Sequence, residues 1–198
     1  MITTPEWMYF IGLAIFLLAV YIPSLVRYKQ LGKMRMQTRP VDALLDILTW
    51  VGWQVLPPLA IFTRWFDWAA FTLPGWASWL GGGLLAAAIL FIALAYAELG
   101  LSWSPKIEII ERHHLATGGI YTFIRHPVYA GMWLWSLANI LLIQNIVAGF
   151  AMAAFFLPLY LLRVPREEAM LVDAFGDTYR QYMQRTGRIF PPIFRKKS

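Results

Sequence analysis

The chain has 198 residues, of which 59% are hydrophobic and 14% are charged, whereas a soluble globular domain carries roughly 25% charged residues. The composition therefore indicates a single domain in a lipid environment, and the net charge of +6 does not require nucleic acid, because basic residues collect on the cytoplasmic side of membrane proteins. The absence of cysteine excludes disulfides, thiolate nucleophiles and Cys-ligated zinc.

The first half of the chain contains three apolar runs, each long enough to cross a bilayer. Residues 7–26 hold no charge in twenty positions, a length of roughly 30 Å as a helix. They lack a basic n-region, so we predict a retained helix and not a cleaved signal peptide. Residues 44–63 contain one acid, and Pro57 with Pro58 should kink or shorten this second helix. Residues 76–97 form the third run, and the small residues of GGGLLAAA favour close helix packing.

A longer apolar run lies between Arg125 and Arg163, which bracket thirty-seven residues without a charge. This length is too great for one span, and a polar Gln-Asn pair lies near its middle. We therefore predict a helical hairpin of spans 128–144 and 146–162. The fold class is then all-α integral membrane, with five transmembrane helices in one domain, residues 1–198.

The charge distribution predicts the orientation. With the N-terminus outside, sixteen of the seventeen basic residues fall on cytoplasmic segments, and only Arg64 falls outside. The C-terminus is then cytoplasmic. After residue 162, Pro165 at a first helical position and an acidic pair behind it predict a separate C-terminal interfacial helix, with a possible break at Gly176.

Polar side chains gather at the predicted cytoplasmic face. The three histidines, His113, His114 and His126, lie within fourteen residues of each other, and the hairpin returns Arg163 and Glu167 to the same membrane level. Ordinary roles are open for each of them: the arginine can extend to the membrane surface, and the acid can begin a helix. Together they can instead hold a charged cofactor beside a lipidic substrate. Adjacent histidines cannot easily share one ion and no HExxH spacing occurs, so we predict no metal.

Five short motifs carry a resemblance to a known family. They are HHLATGGIY (113–121), RHPVYAG (125–131), RVPREE (163–168), FGDTYRQY (175–182) and TGRIFP (186–191). In these motifs the sequence resembles the isoprenylcysteine carboxyl methyltransferase family, within a wider group of small integral-membrane methyltransferases that includes phospholipid N-methyltransferases. The resemblance covers residues 98–191, which we take as the cytoplasm-facing catalytic region together with the last two spans.

The resemblance implies S-adenosylmethionine as cofactor, with S-adenosylhomocysteine as product, in a pocket that faces the cytoplasm. It also implies the roles of individual residues. Arg163 resembles the arginine that meets the methyl acceptor, and Glu167 resembles the acidic cofactor ligand, so these two are the candidate catalytic residues. The implied cofactor-binding residues are His113, Leu115, Ala116, Tyr121, His126, Pro127, Val128, Tyr129 and Glu167.

The expected function is transfer of a methyl group to a lipophilic acceptor, the carboxylate of an isoprenylcysteine-like or other lipid-like substrate taken from the bilayer. We expect a multi-pass membrane protein, in the inner membrane if it is bacterial, without nucleic acid or an obligate protein partner. Phospholipid N-methylation remains open, and it would need Glu167, Glu168 or His126 as a base. An NADPH-dependent sterol-type reductase and a non-catalytic membrane protein also remain open.

Overall fold

The computed structural model describes residues 2–29, 39–99 and 115–192, and these parts of the chain are predominantly helical. Two N-terminal helices each contain one π-helical turn. Helix α1 consists of Thr4–Ile15, the π-helical turn Phe16–Tyr21 and Ile22–Lys29. Helix α2 consists of Pro40–Trp50, the π-helical turn Val51–Val55 and Leu56–Thr63.

Four further helices follow along the chain, together with two short 3₁₀ turns, Asp67–Ala69 and Gly119–Thr122. The helices are α3 (Gly75–Leu99), α4 (Pro127–Ile143), α5 (Ile146–Phe175) and α6 (Asp177–Arg185).

The predicted all-helical membrane fold is confirmed, but the count of five spans is not exact. Within the described residues, four helices are long and apolar enough to cross a membrane: Thr4–Val26, Pro40–Thr63, Gly75–Leu99 and Ile146–Phe175. Helix α4 is a shorter apolar helix of 17 residues, at the lower end of the range of roughly 17–25 residues for a spanning helix.

Proline residues interrupt the hydrogen bonding of α1 and α2 without ending either helix. Each π-helical turn comes immediately before a proline, Pro23 in α1 and Pro57 in α2, and the amides of Ile22 and Leu56 donate to carbonyls five residues back. Proline has no N–H and cannot donate a backbone hydrogen bond. In a π-helical turn the amides donate to carbonyls five residues back instead of four, so a different carbonyl group is left without a donor. Helix α2 therefore continues to Thr63, the predicted end of the span, and of the two predicted effects of the prolines, a kink or a shortening, the shortening does not occur.

The predicted hairpin of α4 and α5 has its turn at Gln144 and Asn145. Gln144 adopts a left-handed conformation with φ of 49°. The Asn145 side chain accepts hydrogen bonds from the amides of Val147 and Ala148, each at 3.0 Å, and so caps α5. Its amide nitrogen donates to the Phe66 carbonyl at 2.7 Å, which ties the hairpin to the connection between α2 and α3.

The prediction of a separate helix beginning at Pro165 is wrong. Helix α5 continues through Pro158 and Pro165 as one helix of 30 residues. Near Pro165 the Arg166 Nε donates to the Leu162 carbonyl, one helical turn back, at 2.8 Å. The predicted break at Gly176 is present, since Gly176 has φ of 56° and separates α5 from the short α6.

The core lies between α1, α3, α4 and α5, where Tyr9, Phe16, Trp135 and Phe156 are fully buried. Helices α3 and α4 approach closely at Gly131, where a Cβ atom would lie 2.6 Å from the Ile92 side chain. The outer surface instead exposes many large apolar side chains. A bundle with a small aromatic core and an apolar exterior is suited to lipid contact.

Candidate active site

A cavity of about 420 Å³ opens where the beginning of α4 faces the second half of α5. Eight of the nine predicted cofactor residues line it, and so does Arg163. The eight are Leu115, Ala116, Tyr121, His126, Pro127, Val128, Tyr129 and Glu167. The ninth, His113, lies outside the described residues, as does its neighbour His114. The motifs are distant in sequence, yet the fold brings them around one space.

The C-terminal segment fixes the entrance of α4. Ile124 and Gly187 form a parallel β-bridge. The Arg125 amide donates to the Gly187 carbonyl at 2.8 Å, and the His126 amide donates to the Arg188 carbonyl at 2.9 Å. Pro127 then occupies the first turn of α4, where its missing N–H costs nothing. This pairing sets the direction of the buried His126 side chain.

Arg163 is the centre of a first ionic cluster, which we call the Arg163 cluster and which also contains Asp46, Glu167 and Tyr129. Its Nη1 donates to Asp46 Oδ1 at 2.6 Å, and its Nε donates to Glu167 Oε1 at 3.1 Å. The Tyr129 hydroxyl donates to the same Glu167 oxygen at 2.6 Å. The Arg163 side chain is 9% exposed, Glu167 is 22% exposed and Asp46 is 37% exposed. All four side chains line the cavity.

Glu168 is the centre of a second cluster, the Glu168 cluster, with Arg125, Arg188 and His126. Arg125 Nε donates to Glu168 Oε1 at 3.0 Å, and Arg188 Nη2 donates to Glu168 Oε2 at 2.7 Å. His126 Nε2 lies 3.4 Å from Glu168 Oε1. The Glu168 side chain is only 5% exposed. Because its oxygens are already engaged, the carboxylate holds neighbouring elements together.

Arg125 immediately precedes α4, but it is not an exposed cation that merely flanks a span. Its side chain is buried, and besides Glu168 it donates to the carbonyls of Met183 and Thr186. Arginine has five donors in a rigid planar group, which suits such multiple contacts. Arg125 therefore joins α4, α5 and the C-terminal segment.

Two tyrosines close the side of the cavity opposite α5. The Tyr182 hydroxyl donates to the Tyr121 carbonyl at 2.7 Å. Burial raises the pKa of Tyr182 to about 12, and it also raises the pKa of Tyr121. Both phenols are therefore neutral at physiological pH, and they present hydroxyl and ring faces to the cavity.

Helix α2 supplies a wall of the cavity that sequence reasoning missed. Asp46, Thr49, Trp50 and Trp53 line the cavity, and Asp46 contacts Arg163 directly. A signal was present, because Asp46 is the one acid in the second apolar run and an ionisable residue inside a span indicates a functional site. Its partner on α5, more than a hundred residues later, could not be identified without the fold.

Apolar and aromatic side chains complete the cavity beside the Arg163 cluster. Met132 and Leu159 line it, and Tyr129 packs against Phe156 and Tyr160 with ring centroids 5.9 and 6.0 Å apart. One cavity therefore combines buried charged groups with an apolar wall made by membrane-embedded helices. Such a site can hold a polar, charged molecule and a lipophilic one side by side.

Comparison with known proteins agrees with this arrangement. The model of the isoprenylcysteine carboxyl methyltransferase family matches residues 79–173. A protein-S-isoprenylcysteine O-methyltransferase of Schizosaccharomyces pombe is 37% identical over 81 residues, which cover 41% of this chain and 34% of that protein. One of Dictyostelium discoideum is 26% identical over 148 residues, which cover 73% of this chain and 56% of that protein. The matches thus span about a third to just over half of these relatives.

A solved structure has the same fold. The structure described as the eukaryotic intramembrane Ras methyltransferase ICMT superposes with a TM-score of 0.56 at 22% sequence identity. The match covers 98% of this chain and 70% of that chain. Helices and connections on both sides of the cavity therefore belong to a shared architecture.

Proposed function

We propose that the chain is a member of the isoprenylcysteine carboxyl methyltransferase family, whose model matches residues 79–173, and that it is an integral-membrane methyltransferase. The donor is S-adenosylmethionine, and the acceptor is the carboxylate of an isoprenylcysteine-like or other lipid-like substrate. The names of the similar proteins support O-methylation, since they are protein-S-isoprenylcysteine O-methyltransferases. The site geometry supports it independently.

The observation that carries this proposal is the position of Arg163. Its guanidinium lies in the cavity, buried within an apolar wall, where a carboxylate attached to a lipid tail can reach it. Guanidinium groups bind carboxylates through two parallel hydrogen bonds, which fixes the orientation of the anion. A protonated amine cannot accept hydrogen bonds from the guanidinium, whereas a carboxylate can, so the arginine favours an anionic acceptor.

The residues around the cavity fit S-adenosylmethionine. The cavity volume lies within the range of roughly 300–1,000 Å³ that is typical of small-molecule sites. Glu167 can accept hydrogen bonds from an ammonium or from ribose hydroxyls, and the rings of Tyr121 and Tyr129 can face a cation or an adenine. Leu115 and Ala116 offer backbone groups at the rim. His126 and Pro127 would form the floor beneath them.

The chemistry requires positioning more than acid-base catalysis. When bound, the cofactor supplies a methyl carbon on a sulfonium and leaves as S-adenosylhomocysteine. A carboxylate acceptor is already deprotonated at neutral pH, so the chain need not provide a base. Arg163 orients the acceptor oxygen toward the reacting carbon, and the apolar wall excludes water from it. A substantial part of the rate then comes from holding two reactants at near-attack distance.

The orientation belongs to the same proposal. With the N-terminus outside, the Arg163 and Glu168 clusters lie at the cytoplasmic end of α4 and α5, on the side that carries sixteen of the seventeen basic residues. A soluble cofactor would enter from the cytoplasm, and the acceptor would enter from the bilayer. Cysteine-accessibility labelling of single-cysteine variants tests this, since the chain has no native cysteine.

Labelled product identifies the reaction. Purified protein is incubated with methyl-labelled S-adenosylmethionine and either membrane extract or a farnesylcysteine with a free carboxylate. We expect label in a lipophilic product, and release of that label by mild base, because esters hydrolyse and methylamines do not. Base-stable label in the phospholipid fraction would instead identify N-methylation, and absence of any labelled product would refute the methyltransferase.

A further inference from the structure

The Arg163 guanidinium is already shared by two carboxylates, and this raises the question of how an acceptor carboxylate can bind to it. Asp46 contacts Nη1, and Glu167 contacts Nε. A carboxylate binds an arginine bidentately through one of two edges, Nε with Nη2 or Nη1 with Nη2. Each edge therefore has a resident carboxylate on one of its nitrogens. An incoming carboxylate can contact Nη1 or Nε only after the carboxylate already bound at that nitrogen has moved.

The two residents are not held equally. Glu167 follows Arg163 by one turn of the same helix, and it also accepts a hydrogen bond from the Tyr129 hydroxyl at 2.6 Å. Asp46 reaches across from α2, and among the described residues its hydrogen-bond partner is Arg163. Its side chain is 37% exposed, against 22% for Glu167. Asp46 therefore has more access to solvent and fewer contacts to lose.

The net charge of the Arg163 cluster gives a second reason why one resident carboxylate must move before an acceptor binds. One guanidinium with two carboxylates carries a net negative charge, so an anionic acceptor is repelled from the Arg163 cluster as it stands. Moving Asp46 away from Nη1 removes one of the two carboxylates, and Glu167 stays in contact with Nε. The acceptor carboxylate then takes the place of Asp46 at Nη1. Asp46 is a carboxylate, it contacts Arg163 and it lines the cavity. It can therefore occupy the position that the acceptor carboxylate would take.

We propose that Asp46 is a specificity-determining residue that occupies the acceptor-carboxylate position on Arg163 until a carboxylate substrate displaces it. This inference rests on the proposed function, because it assumes that Arg163 binds the acceptor. In this role Asp46 keeps the buried arginine paired when no acceptor is bound. Asp46 also selects among acceptors, since an acceptor without a carboxylate cannot replace it on Arg163.

The chain contains a matched control one helical turn away. Asp42 on α2 pairs with Arg166 on α5, as Asp46 pairs with Arg163. Asp42 is buried, with 2% exposure, and it lies outside the residues that line the cavity. Removing either charge breaks one ion pair between the same two helices, but only the change at Asp46 alters the proposed acceptor position.

The test measures binding of two probes to detergent-solubilised protein without cofactor. The probes are N-acetyl-S-farnesylcysteine with a free carboxylate and its methyl ester, and the signal is tryptophan fluorescence, since Trp50 and Trp53 line the cavity. We expect Asp46→Asn to bind the free carboxylate about tenfold more tightly than the unaltered protein, a moderate gain because Asp46 is partly screened by solvent. Affinity for the ester should not change, and Asp42→Asn should change neither.

Further variants keep the proposal open to refutation. Asp46→Ser should reproduce the tighter binding if Asp46→Asn folds poorly, and Asp46→Glu should keep the original affinity because it keeps the carboxylate. Under turnover, the acceptor KM of Asp46→Asn should fall in parallel with the dissociation constant of the free carboxylate. Unchanged or weaker carboxylate binding in both neutral variants would overturn the proposal.

Failure of this inference is distinguishable from failure of the proposed function. If the unaltered protein methylates the farnesylcysteine carboxylate but the Asp46 variants show no gain in affinity, only the role of Asp46 is wrong. If the unaltered protein neither binds nor methylates this probe or any extracted lipid, the methyltransferase assignment and the role of Asp46 are both wrong.

Discussion

Glu167 and Glu168 are neighbours in sequence, yet they belong to different parts of the molecule. Glu167 faces the cavity, contacts Arg163 and Tyr129, and keeps 22% of its side chain exposed. Glu168 faces the C-terminal segment, contacts Arg125 and Arg188, and is 5% exposed. Consecutive residues on an α-helix point about 100° apart, so the two adjacent glutamates face different surroundings, the cavity and the C-terminal segment.

The comparison separates charged side chains that line the cavity from charged side chains that hold the fold together. The Arg163 cluster lies against open space, and its carboxylates can exchange their partner for a ligand. The Glu168 cluster encloses its charges, and a buried charge that loses its partner is strongly destabilising. We therefore expect substitutions in the two clusters to affect different measurements.

The largest effect should come from Glu168. Glu168→Gln leaves the buried Arg125 guanidinium without its counter-charge and should lower the free energy of unfolding by about 3–5 kcal/mol. Thermal and SDS-induced unfolding in detergent measure this loss. Asp177→Asn is the control, because the Asp177–Arg180 pair is exposed and should contribute little. Equal stability of the two variants would contradict the structural role of Glu168.

Arg163→Lys should come next, with methyl transfer reduced by about a hundredfold in kcat/KM. Lysine keeps the positive charge but cannot bind a carboxylate through two parallel hydrogen bonds, so the acceptor is poorly oriented. Arg166→Lys, on the same helix and outside the cavity lining, should stay near the activity of the unaltered protein. Calorimetric titration with S-adenosylmethionine should show little change, and a parallel loss of cofactor affinity would argue against an acceptor-binding role.

Glu167→Gln should weaken S-adenosylmethionine binding by about 30-fold while the unfolding midpoint changes little. The amide keeps an oxygen for the Tyr129 hydroxyl, but it lacks the charge that strengthens hydrogen bonds to the cofactor. Isothermal titration gives the affinity, and Asp173→Asn on the exposed side of α5 is the control. A destabilised protein with unchanged affinity would assign Glu167 to the fold and not to the ligand.

Tyr129→Phe should have the smallest effect, about fivefold in cofactor affinity. The change removes one hydrogen bond to Glu167, which Arg163 still holds at 3.1 Å. Tyr160→Phe alters the neighbouring ring of the same aromatic group and should have no effect. If Tyr129→Phe were as damaging as Glu167→Gln, the hydroxyl itself would have to contact the ligand.

Much of the fold could be predicted because apolar length and charge are local properties. The runs at 7–26, 44–63 and 76–97 correspond to helices that extend a few residues further at their ends. The turn of the hairpin follows from one polar pair, Gln144 and Asn145, in a long apolar run. The composition and these runs were enough to predict an all-helical membrane protein.

The misassigned elements depended on contacts between distant residues. Pro165 has the sequence environment of a helix start, but α5 continues through it, and the next residue, Arg166, pairs with Asp42 on α2. Arg125 has the sequence environment of a membrane-flanking cation, but Glu168 and the C-terminal segment bury it. Local propensity does not contain these partners.

The candidate site was predictable in part for a different reason. The family motifs gave the side chains from Leu115 to Glu167 that line the cavity, and their roles toward a ligand stay predictions. The motifs gave no information on the wall contributed by α2, because Asp46 lies outside the motifs and outside residues 79–173, which the family model matches.

The pairing of residues 124–126 with residues 187–188 has a consequence for biosynthesis. These two segments are separated in sequence by about sixty residues, and the whole hairpin of α4 and α5 lies between them. Contacts of such long sequence separation form late, because a large loop must close first. During insertion, Arg125 therefore reaches the membrane surface before Glu168 and the carbonyls of Met183 and Thr186 have been synthesised. The cavity is therefore completed late in folding, and a nascent chain that stops before Thr186 contains the apolar helices α1 to α5 but lacks the contacts that fix the start of α4.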